Sequence, residues 1–544
     1  MKELKRNNAK RLLACGMSAG VLMSCVACGG NEDDWLDPNR TQIYVAATSE
    51  GVNESWLPEI IEGFEKAYPE YQIGYDGLSM EDTKNLDTTI AGAKYDLYFI
   101  QSVALAENMA KKGLIDDISD VVTVGDPNFE SGTTIESKMS TDYQEQYKYT
   151  KADGTEGYYG LPYVTIPFGI TYDADLFTKK NLYNLTAYKG LDCVEGSADD
   201  CWGPDGKENT YDDGLPATWE DFKVMMNAMR TRGVTPFVWS GEHTYYRYYM
   251  LFAMIANYEG VDDFRMYFEL DGTDSFSGEE ISIENGYKLV ERPSHKAALT
   301  MAYDIVSNPN NYSSVSFLTG TTHLQAQNTY ILSERTSQPI AMLLDGVWWE
   351  HEAKATFAEM ADEYGSNYGY GKRNFKFMPL PKFVGTEGVI DQKNMDTVLY
   401  DQNGNSLVCL NASSKQKEGA KLFLRYVHTN ESLKKFTLNN GLIRPYDYDF
   451  SNDEYNQLAP FARSVWEIWK DETTKIASPV IFNERIYMEE DYVRGMLVSG
   501  KKGSTNYADP FDAFYANSNL TVAKYLEYMG EKYSASEWKK YMID

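Results

Sequence analysis

The sequence predicts a two-lobed α/β protein, on two observations. Short strands alternate with helices from Thr41 onward, at the spacing of βαβ units that build a parallel sheet. The folded part is also long, roughly 500 residues, which exceeds what a single hydrophobic core usually holds. Because 43% of the chain is hydrophobic and 14% aromatic, it has enough apolar side chains for two large cores.

The first elements follow from their periodicity. Residues 42–47 (QIYVAA) are typical of a strand, and apolar residues at helical spacing predict a helix at 55–67. Ser55 is the expected N-cap of this helix, which has to end before Pro69. The next predicted elements are a strand at 71–75, a helix at 81–91, a strand at 95–100 and a helix at 103–112.

The loops after these strands are the first candidates for a binding site. In open α/β sheets, ligands bind beyond the carboxyl ends of the parallel strands. Ser49 and Glu50 follow the first strand, and Gln101 follows the third. The strand order alone therefore predicts these three residues at a binding site.

Two later stretches also have clear patterns. An insertion rich in Asp, Gly and Asn runs from Asn181 to Leu215 and precedes a helix predicted at 218–230. Thr218 is its expected N-cap, and Asp221 gives a weaker version of a capping box. A further strand is predicted at 340–344.

Eight short segments follow one another in a recognisable order. They are Gly160 to Tyr163, Phe168 to Phe177, Pro216 to Phe222, Gly233 to Phe237, Ala341 to Trp349, Phe377 to Pro381, Ser413 to Thr429 and Gly441 to Pro445. In this order they resemble segments of the extracellular solute-binding proteins of the sugar class. Asp173 stands where the family pattern has Asn, and the turn at 441–445 has one extra residue.

This resemblance implies a class II periplasmic-binding-protein fold. Its two lobes would be joined by several hinge crossings, with a ligand cleft between them. By the family pattern, the N-terminal lobe comprises 41–163 plus 382–450, and the C-terminal lobe comprises 164–381 plus 451–544. The implied function is the substrate-binding component of an ABC transporter, which delivers a carbohydrate to a membrane permease.

The N-terminus is typical of an export signal. Residues 1–27 have a basic start with five Lys/Arg and one Glu, followed by an apolar stretch too short to span a bilayer comfortably. The end of this stretch resembles the lipobox of bacterial lipoproteins, with Cys28 or Cys25 as the lipidated residue. We favour Cys28, followed by a tether at 28–40, and expect a lipoprotein on the outer face of the cell membrane. The alternatives are an ordinary secretory signal or an N-terminal transmembrane anchor.

The charge and the cysteines restrict the partners. The net charge is −30, whereas nucleic acids and anionic bilayers bind Lys/Arg patches. We therefore expect no nucleic-acid partner. Separately, we expect the protein to be a monomer. Cys193 and Cys201 lie in one loop and could bridge, whereas Cys409 lies in an apolar run and is expected to be buried.

A sugar site needs aromatic planes for stacking and polar side chains for hydrogen bonds. Trp348 and Trp349, with Asp345 before them and Glu350 after them, fit this need at the end of a predicted strand. Only one of two adjacent tryptophans can face a cleft, and Trp348 holds the position that the family resemblance favours. The other predicted binding residues are Trp239, Glu242, Tyr245, Tyr163 and Arg444, and more loosely Phe482 and Asn483.

The loop at 203–214 collects oxygen ligands around glycines. Asp205, Asn209, Asp212 and Asp213 have the chemistry that calcium prefers, although the spacing is not that of an EF-hand. A structural calcium and a solvated surface loop are the two interpretations, and no cofactor is required by either.

Patterns of catalytic chemistry are missing from the sequence. The five histidines are scattered, and no zincin helix, phosphate-binding Gly-rich loop or nucleophile elbow stands out. We therefore predict a receptor rather than an enzyme. The alternatives are a non-sugar solute receptor of the same fold and an exported glycosidase with two carboxylates.

Overall fold

The computed structural model describes residues 37–49, 51–52, 54–83, 85–101, 106–125, 129–130, 132–151, 154–183, 202–402, 406–478 and 495–540. Several predicted features lie outside these residues. They are the signal with Cys25 and Cys28, the tether up to residue 36, Glu50, Cys193, Cys201, Phe482 and Asn483.

Sixteen strands are present in the described residues. In chain order they are β1 (Thr41–Thr48), β2 (Tyr71–Leu78), β3 (Leu97–Ile100), β4 (Lys148–Thr150), β5 (Glu156–Tyr158), β6 (Pro167–Asp173), β7 (Thr235–Val238), β8 (Gly272–Thr273), β9 (Glu280–Ile281), β10 (Ile340–Gly346), β11 (Phe375–Met378), β12 (Thr397–Asp401), β13 (Leu407–Leu410), β14 (Thr474–Ala477), β15 (Gly500–Lys502) and β16 (Thr505–Tyr507).

The described helices are more numerous. In chain order they are α1 (Leu57–Ala67), α2 (Met80–Thr83), α3 (Leu86–Thr89), α4 (Ala106–Lys111), α5 (Ser119–Val122), α6 (Thr141–Gln146), α7 (Ala174–Lys179), α8 (Trp219–Thr231), α9 (Tyr245–Glu259), α10 (Val261–Glu269), α11 (Pro293–Val306), α12 (His323–Ser333), α13 (Trp349–Glu352), α14 (Lys354–Tyr364), α15 (Lys417–Val427), α16 (Asn430–Asn440), α17 (Asn452–Tyr455), α18 (Pro460–Lys470), α19 (Pro510–Ala516), α20 (Val522–Lys532) and α21 (Ala535–Trp538).

The first lobe is built on a four-stranded sheet in the order β13-β3-β1-β2. β1 pairs in parallel with both β2 and β3, which confirms the predicted parallel arrangement. β13 comes from much later in the chain and joins the edge of β3 in the antiparallel direction. The carboxyl ends of β1, β2 and β3 therefore lie together at one edge of this sheet.

The second lobe is built on a larger, mixed sheet. Its strand order is β14-β12-β6-β10-β7, and β11 also pairs with β6. β6 runs antiparallel to β10, β11 and β12, whereas β7 is parallel to β10. The first residues of β6 consequently share an edge with the last residues of β7 and β10.

Three crossing segments connect the lobes. The first lies at 162–166, before β6, and the third lies at 441–451, after α16. The second connects β12 to β13, and its described residues are Gln402 and Ser406. Thr165 N donates to Ile443 O at 2.9 Å, and Tyr163 N donates to Ser406 Oγ at 3.1 Å. The three crossings therefore hold one another, and the predicted two-lobed α/β fold is confirmed.

The predicted lobe boundary at 382 is wrong in one part. Residues 382–450 were assigned to the N-terminal lobe, but β12 within this range pairs with β6 and β14 in the larger sheet. Because a ladder on both sides fixes β12 in the second lobe, the chain returns to the first lobe only after Asp401.

Most element predictions agree with the structure, with two corrections. The helix predicted from Ser55 begins at Leu57, and no side-chain cap bond is made by its N-cap, Trp56. The helix predicted at 81–91 is broken into α2, α3 and one 3-10 turn. Short polar side chains in this stretch bond to nearby groups instead, as when Thr88 Oγ1 donates to Asn85 O at 2.8 Å, which competes with a continuous helix.

Two smaller predictions are confirmed. Thr218 and Asp221 form a reciprocal capping box, with Thr218 N donating to Asp221 Oδ2 at 3.0 Å. Cys409 is a free cysteine buried within β13, as its apolar neighbours indicated.

Candidate functional site

The edge of the larger sheet that carries the ends of β7 and β10 holds most of the predicted binding residues. Glycine 346 at the end of β10 lies opposite Phe168 at the start of β6. The chain after β7 leads through 239–244 into α9, and the chain after β10 leads through Trp348 into α13. The sheet topology thus brings residues far apart in sequence to one place.

Five aromatic side chains meet at this edge. Phe168, Tyr245, Tyr246, Tyr249 and Trp348 form what we call the strand-end aromatic cluster. The ring of Phe168 lies 5.7 Å from both Tyr246 and Tyr249, and 6.3 Å from Trp348. Tyr245 stacks on Tyr246 at 4.8 Å and is half-buried, like Tyr249, so both present part of their surface to solvent.

Helix periodicity explains why two of these tyrosines act together. Tyr245 and Tyr249 are four residues apart in α9 and therefore lie on the same face, with ring centroids 5.7 Å apart. Tyr249 and Phe168 were not predicted as site residues. The spacing of the tyrosines in 245–249 was a signal for the first, whereas Phe168 is placed only by the antiparallel pairing of β6 with β10.

The two adjacent tryptophans have different surroundings, as predicted. Trp349 is fully buried in the lobe core, packed edge-on against Phe375 at 5.0 Å and Phe461 at 5.5 Å. A ligand cannot reach it, so the prediction of Trp349 as a binding residue is wrong. Trp348 packs over Gly346, where an added Cβ would lie 1.8 Å from its ring, and it retains 6% exposure.

A polar group lies beside the cluster. Gln327 Nε2 donates to Asp345 Oδ2 at 3.0 Å and to Glu352 Oε2 at 2.9 Å. Burial, followed by the neighbouring Glu352 carboxylate, raises the pKa of Asp345 well above its ordinary value of 3.8. Asp345 is 1% exposed, and its carboxylate already accepts a hydrogen bond from Gln327. The prediction that Asp345 contacts a ligand is therefore wrong, and this side chain instead helps to hold its neighbours in place.

His323 lies next to this polar group, and His243 lies next to His323. His323 stacks on Tyr246 with an interplanar angle of 12°, and its ring lies 5.3 Å from that of His243. His323 Nε2 is 3.9 Å from Glu352 Oε2. Neither histidine was predicted at the site. His323 is the first residue of α12, where Thr322 and Gln325 form a capping box that fixes its position.

Glu350, which follows the two tryptophans, is buried on the inner side of the site. Burial raises its pKa from 4.5 to about 8, against the lowering effects of the Gly371 N–H and the Lys354 ammonium. The folded state thus keeps a proton that the unfolded chain has released between about pH 4.5 and about pH 8. Stability should therefore fall as the pH rises through this window.

Replacing Glu350 by Gln should flatten this pH dependence, because the amide mimics the protonated acid. We expect the variant to gain about 1–3 kcal/mol over the unchanged protein at about pH 8 relative to about pH 5. Urea unfolding at several pH values measures the difference. Glu359→Gln, at an exposed position of α14, is the matched control. Parallel curves for Glu350→Gln and the unchanged protein would show that Glu350 ionises normally.

The loop after β7 holds two of the predicted binding residues. Glu242 is exposed, and its contact with a ligand stays a prediction. Trp239 is fully buried between Tyr312, Phe317 and Phe511, with ring distances of 5.4–5.5 Å. The prediction of Trp239 as a binding residue is wrong, because this ring belongs to the lobe core.

The carboxyl-end edge of the first-lobe sheet holds Ser49 and Gln101, as the strand order predicted. Ser49 Oγ donates to Leu78 O at 3.0 Å, and Gln101 N donates to Thr48 Oγ1 at 3.1 Å. The Gln101 side chain lies beside Gly51, where an added Cβ would be 3.4 Å from its amide. Gly51 has a φ of 68°, which a side chain would disfavour. The turn after β1 is therefore built to pass close to Gln101.

Two predicted binding residues are structural. Tyr163 is fully buried, accepts a bond from Trp56 Nε1 at 2.9 Å and packs against Phe99 and Phe436. Arg444 is also fully buried and donates to Tyr163 O and Val427 O at 3.0 Å each. Both predictions of ligand contact are wrong, because these side chains are buried where the crossings pack against the first lobe.

The loop at 203–214 is held by hydrogen bonds between its own residues. Asp212 is fully buried, and its carboxylate accepts bonds from Asp205 N at 2.9 Å and Thr210 Oγ1 at 2.7 Å. Asn209 N donates to Asp213 Oδ2 at 2.8 Å. Over the described part of the chain, no group of three or more His, Cys, Asp or Glu is arranged to hold a metal ion. Calcium binding by this loop stays a prediction.

A cavity of about 460 Å³ lies where the lobes meet, but at a different place. Its walls come from α6, α10, the third crossing and β14, and Arg265 of the second lobe faces Asp142 of the first at 3.5 Å. β14 is separated from β10 by β12 and β6, roughly 14 Å across the sheet. This cavity contains none of the predicted binding residues, and it is distinct from the strand-end aromatic cluster.

Comparison with known proteins identifies the family. The profile of the bacterial extracellular solute-binding proteins matches residues 47–434, which is more than half of the chain. The chain belongs to this family. The resemblance predicted from the eight ordered segments is therefore confirmed, and membership implies an exported protein. No curated protein sequence matches this solute-binding protein significantly.

Solved structures of solute receptors share its fold. The apo form of RafE from Streptococcus pneumoniae has a TM-score of 0.56 and 13% identity, covering 92% of this chain and 99% of that one. The GacH receptor of Streptomyces glaucescens, solved unliganded and with acarbose, has a TM-score of 0.53 and 15% identity, covering 92% and 99%. The AcbH receptor, which prefers β-D-galactopyranose, has a TM-score of 0.53 and 13% identity, with the same coverage.

The described helices of this solute-binding protein were also compared with the length of a bilayer. Within residues 37–540, gaps excluded, none is both long and apolar enough to cross a membrane.

Proposed function

We propose that this solute-binding protein binds a carbohydrate between its lobes and delivers it to the permease of an ABC transporter. The observation that supports this most is the strand-end aromatic cluster, because its half-buried tyrosines lie beside polar side chains. Tyr245 and Tyr249 offer aromatic planes, and Glu242 and His243 lie at the same end of α9. Planes flanked by hydrogen-bonding groups suit the C–H faces and hydroxyls of sugars.

The neighbouring relatives bind sugars, which agrees with this chemistry. The names of the similar structures refer to raffinose, acarbose and β-D-galactopyranose. At 13–15% identity these likenesses concern the fold, so the sugar itself is inferred here from the aromatic and polar side chains of the cluster.

Lobe closure is the proposed mechanism. Ser49 and Gln101 lie at the strand ends of the first lobe, and the aromatic cluster lies at the strand ends of the second. A ligand held by one lobe would recruit contacts from the other and so favour the closed state through its higher affinity for that state. The hydrogen-bonded crossings allow this movement without separating the lobes.

Catalysis is less well supported by the carboxylates at the site. A glycosidase needs two carboxyl groups presented to the substrate. The nearest pair, Asp345 and Glu352, shares the Gln327 amide, and Asp345 is 1% exposed. These carboxylates therefore bond to a neighbouring side chain of the protein and are not presented to a substrate, which favours a receptor.

A lipid anchor completes the proposal. The basic and apolar residues of 1–27, and the cysteines at 25 and 28, are the sequence features that support it. Mass spectrometry of the protein from membranes would identify the modified cysteine, and each Cys→Ala variant would show which of the two retains it on the membrane.

A thermal-shift screen of residues 31–544 against mono- and oligosaccharides tests the binding proposal. Ligands that bind only the folded state raise the melting temperature. A rise with one class of sugar, and no released product, would support a sugar receptor. No rise with any sugar would refute the sugar proposal, whereas cleavage would favour the glycosidase. Chelator and added calcium, in separate arms, would test the loop at 203–214.

Tyr245 gives a specific test of the site. Tyr245→Ala should lower the affinity for the sugar found in the screen by about 1–2 kcal/mol, or roughly 5- to 30-fold, because one stacking plane is lost. Isothermal titration measures the change. Tyr287→Ala is the matched control, since Tyr287 is also half-buried in the second lobe but packs near Trp538. Equal affinities in both variants would exclude Tyr245 from the site.

A further inference from the structure

A second groove lies at the opposite edge of the larger sheet, where β7 and β10 begin. Thr235 and Ile340, the first residues of these strands, line it. Its volume is about 760 Å³, within the range of about 300–1,000 Å³ that small-molecule sites occupy. We call it the distal groove and define it by Asn310, Ser313, Phe317, Gln338 and Tyr515 together with these strand ends.

The distal groove is separate from the strand-end aromatic cluster. β10 runs from Ile340 in the groove to Gly346 beside Trp348, seven residues in all. At about 3.3 Å per residue, the two places are roughly 20 Å apart. Both can therefore be occupied at the same time.

The groove carries an aromatic platform. The ring of Tyr515 stacks on Phe317 with centroids 4.0 Å apart and an interplanar angle of 6°. Phe317 covers one face, and Tyr515 remains 55% exposed. The ring of Tyr312 contacts that of Phe317 edge-on, with their centroids 5.2 Å apart. An aromatic ring held flat, with one face covered and the rest exposed, can serve as a stacking surface for the apolar face of a ligand.

All but one of the polar side chains around this platform are uncharged. Of the seventeen lining residues, eight are Ser, Thr, Asn or Gln, and Arg230 alone is charged. In a chain of which 24% is charged, this composition is unusual. The Arg230 guanidinium is already bonded, with Nη2 donating to Asn227 Oδ1 at 3.1 Å. Arg230 keeps its positive charge, but its guanidinium is held by the side-chain amides of Asn227 and Asn311, and no other lining residue is charged.

Several of these groups are open to a ligand. Among the described residues, no hydrogen bond is made by the side chains of Asn310, Ser313 or Gln338, or by the Tyr515 hydroxyl, and Asn310 and Gln338 are exposed. Amide and hydroxyl groups can both donate and accept, which matches the hydroxyls of a sugar. An anion would instead be recognised through several cationic side chains, and the groove has only one.

We infer that the distal groove is a second carbohydrate-binding site, which takes a segment of a neutral polysaccharide or long oligosaccharide. Tyr515 stacks on a sugar ring, while Asn310, Ser313 and Gln338 bond its hydroxyls. A chain held there would keep further sugar near the protein while the cleft between the lobes is in use. This inference concerns a different surface from the proposed transport site and does not depend on it.

Electrophoresis in native gels that contain a polysaccharide tests the groove. The strongly acidic protein migrates readily, and binding to the matrix slows it. The probes are dextran, glycogen, pullulan, mannan and arabinoxylan, each compared with a gel that has no polysaccharide. We expect at least one to slow the unchanged protein, Trp348→Ala and the control Tyr287→Ala to the same extent, whereas Tyr515→Ala migrates as in the plain gel.

Two further variants keep the test decisive. Tyr515→Phe should retain most of the retardation, because it keeps the stacking plane, and the double variant Asn310→Ala, Gln338→Ala should lose much of it without changing the platform. If Tyr515→Ala does not fold, this double variant replaces it. The inference is overturned if no polysaccharide slows the unchanged protein, if Tyr515→Ala is slowed equally, or if Trp348→Ala alone removes the effect.

Discussion

Trp348→Ala is expected to weaken sugar binding by about 1–3 kcal/mol, which is roughly a 5- to 150-fold rise in Kd. The Trp348 ring is part of the strand-end aromatic cluster and lies between Gly346 and Phe168. Its removal would take away stacking area and let Phe168 and the neighbouring tyrosines relax. Isothermal titration with the sugar from the screen gives the affinity, and unchanged Kd would exclude Trp348 from the site.

Trp349→Ala is the matched control, because the two residues are adjacent but have different surroundings. Trp349 is fully buried among Phe375, Phe461 and Tyr330, so truncation should cost about 3–5 kcal/mol of folding free energy. The folded fraction should nevertheless bind sugar with ordinary affinity. Reversed effects, with affinity lost in Trp349→Ala and kept in Trp348→Ala, would contradict the assignment of the two rings.

The contrast between these neighbours shows what local pattern can and cannot predict. The alternation of strands and helices predicted β1, β2 and β3 and the edge that holds Ser49 and Gln101, because a parallel sheet places all of its carboxyl strand ends together. The pattern could not show that β12 joins the larger sheet. That position depends on pairing with β6, more than two hundred residues away.

The site was predicted less completely than the fold, for a related reason. Trp239 follows β7, Tyr163 lies in the first crossing, and both have the chemistry of a sugar site, yet both are core residues. Whether an aromatic side chain at a strand end turns inward depends on its packing partners, here Phe511 for Trp239 and Phe436 for Tyr163, which lie far away in the chain. Phe168 was missed because its position beside Trp348 depends on the pairing of β6 with β10, which lies far away in the chain.

Arg444→Ala is expected to destabilise the protein by about 3–5 kcal/mol, because its buried side chain connects the third crossing to the first crossing and to α15. Its guanidinium donates to Tyr163 O in the first crossing and to Val427 O at the end of α15, and also bonds His428. Truncation would leave two buried carbonyls without these donors. Urea unfolding without ligand measures the loss.

Arg425→Ala is the control for this substitution. Arg425 lies on α15, the helix whose Val427 carbonyl Arg444 contacts, and it also donates to backbone carbonyls. Its bonds are exposed, so a loss below about 1 kcal/mol is expected. Arg444→Lys separates the structural role from ligand contact: a single ammonium cannot donate in three directions of the planar fork, so stability should fall while the folded fraction keeps its affinity. If affinity falls and stability does not, Arg444 contacts the ligand after all. A loss of stability alone would place Arg444 among the residues that hold the crossings together.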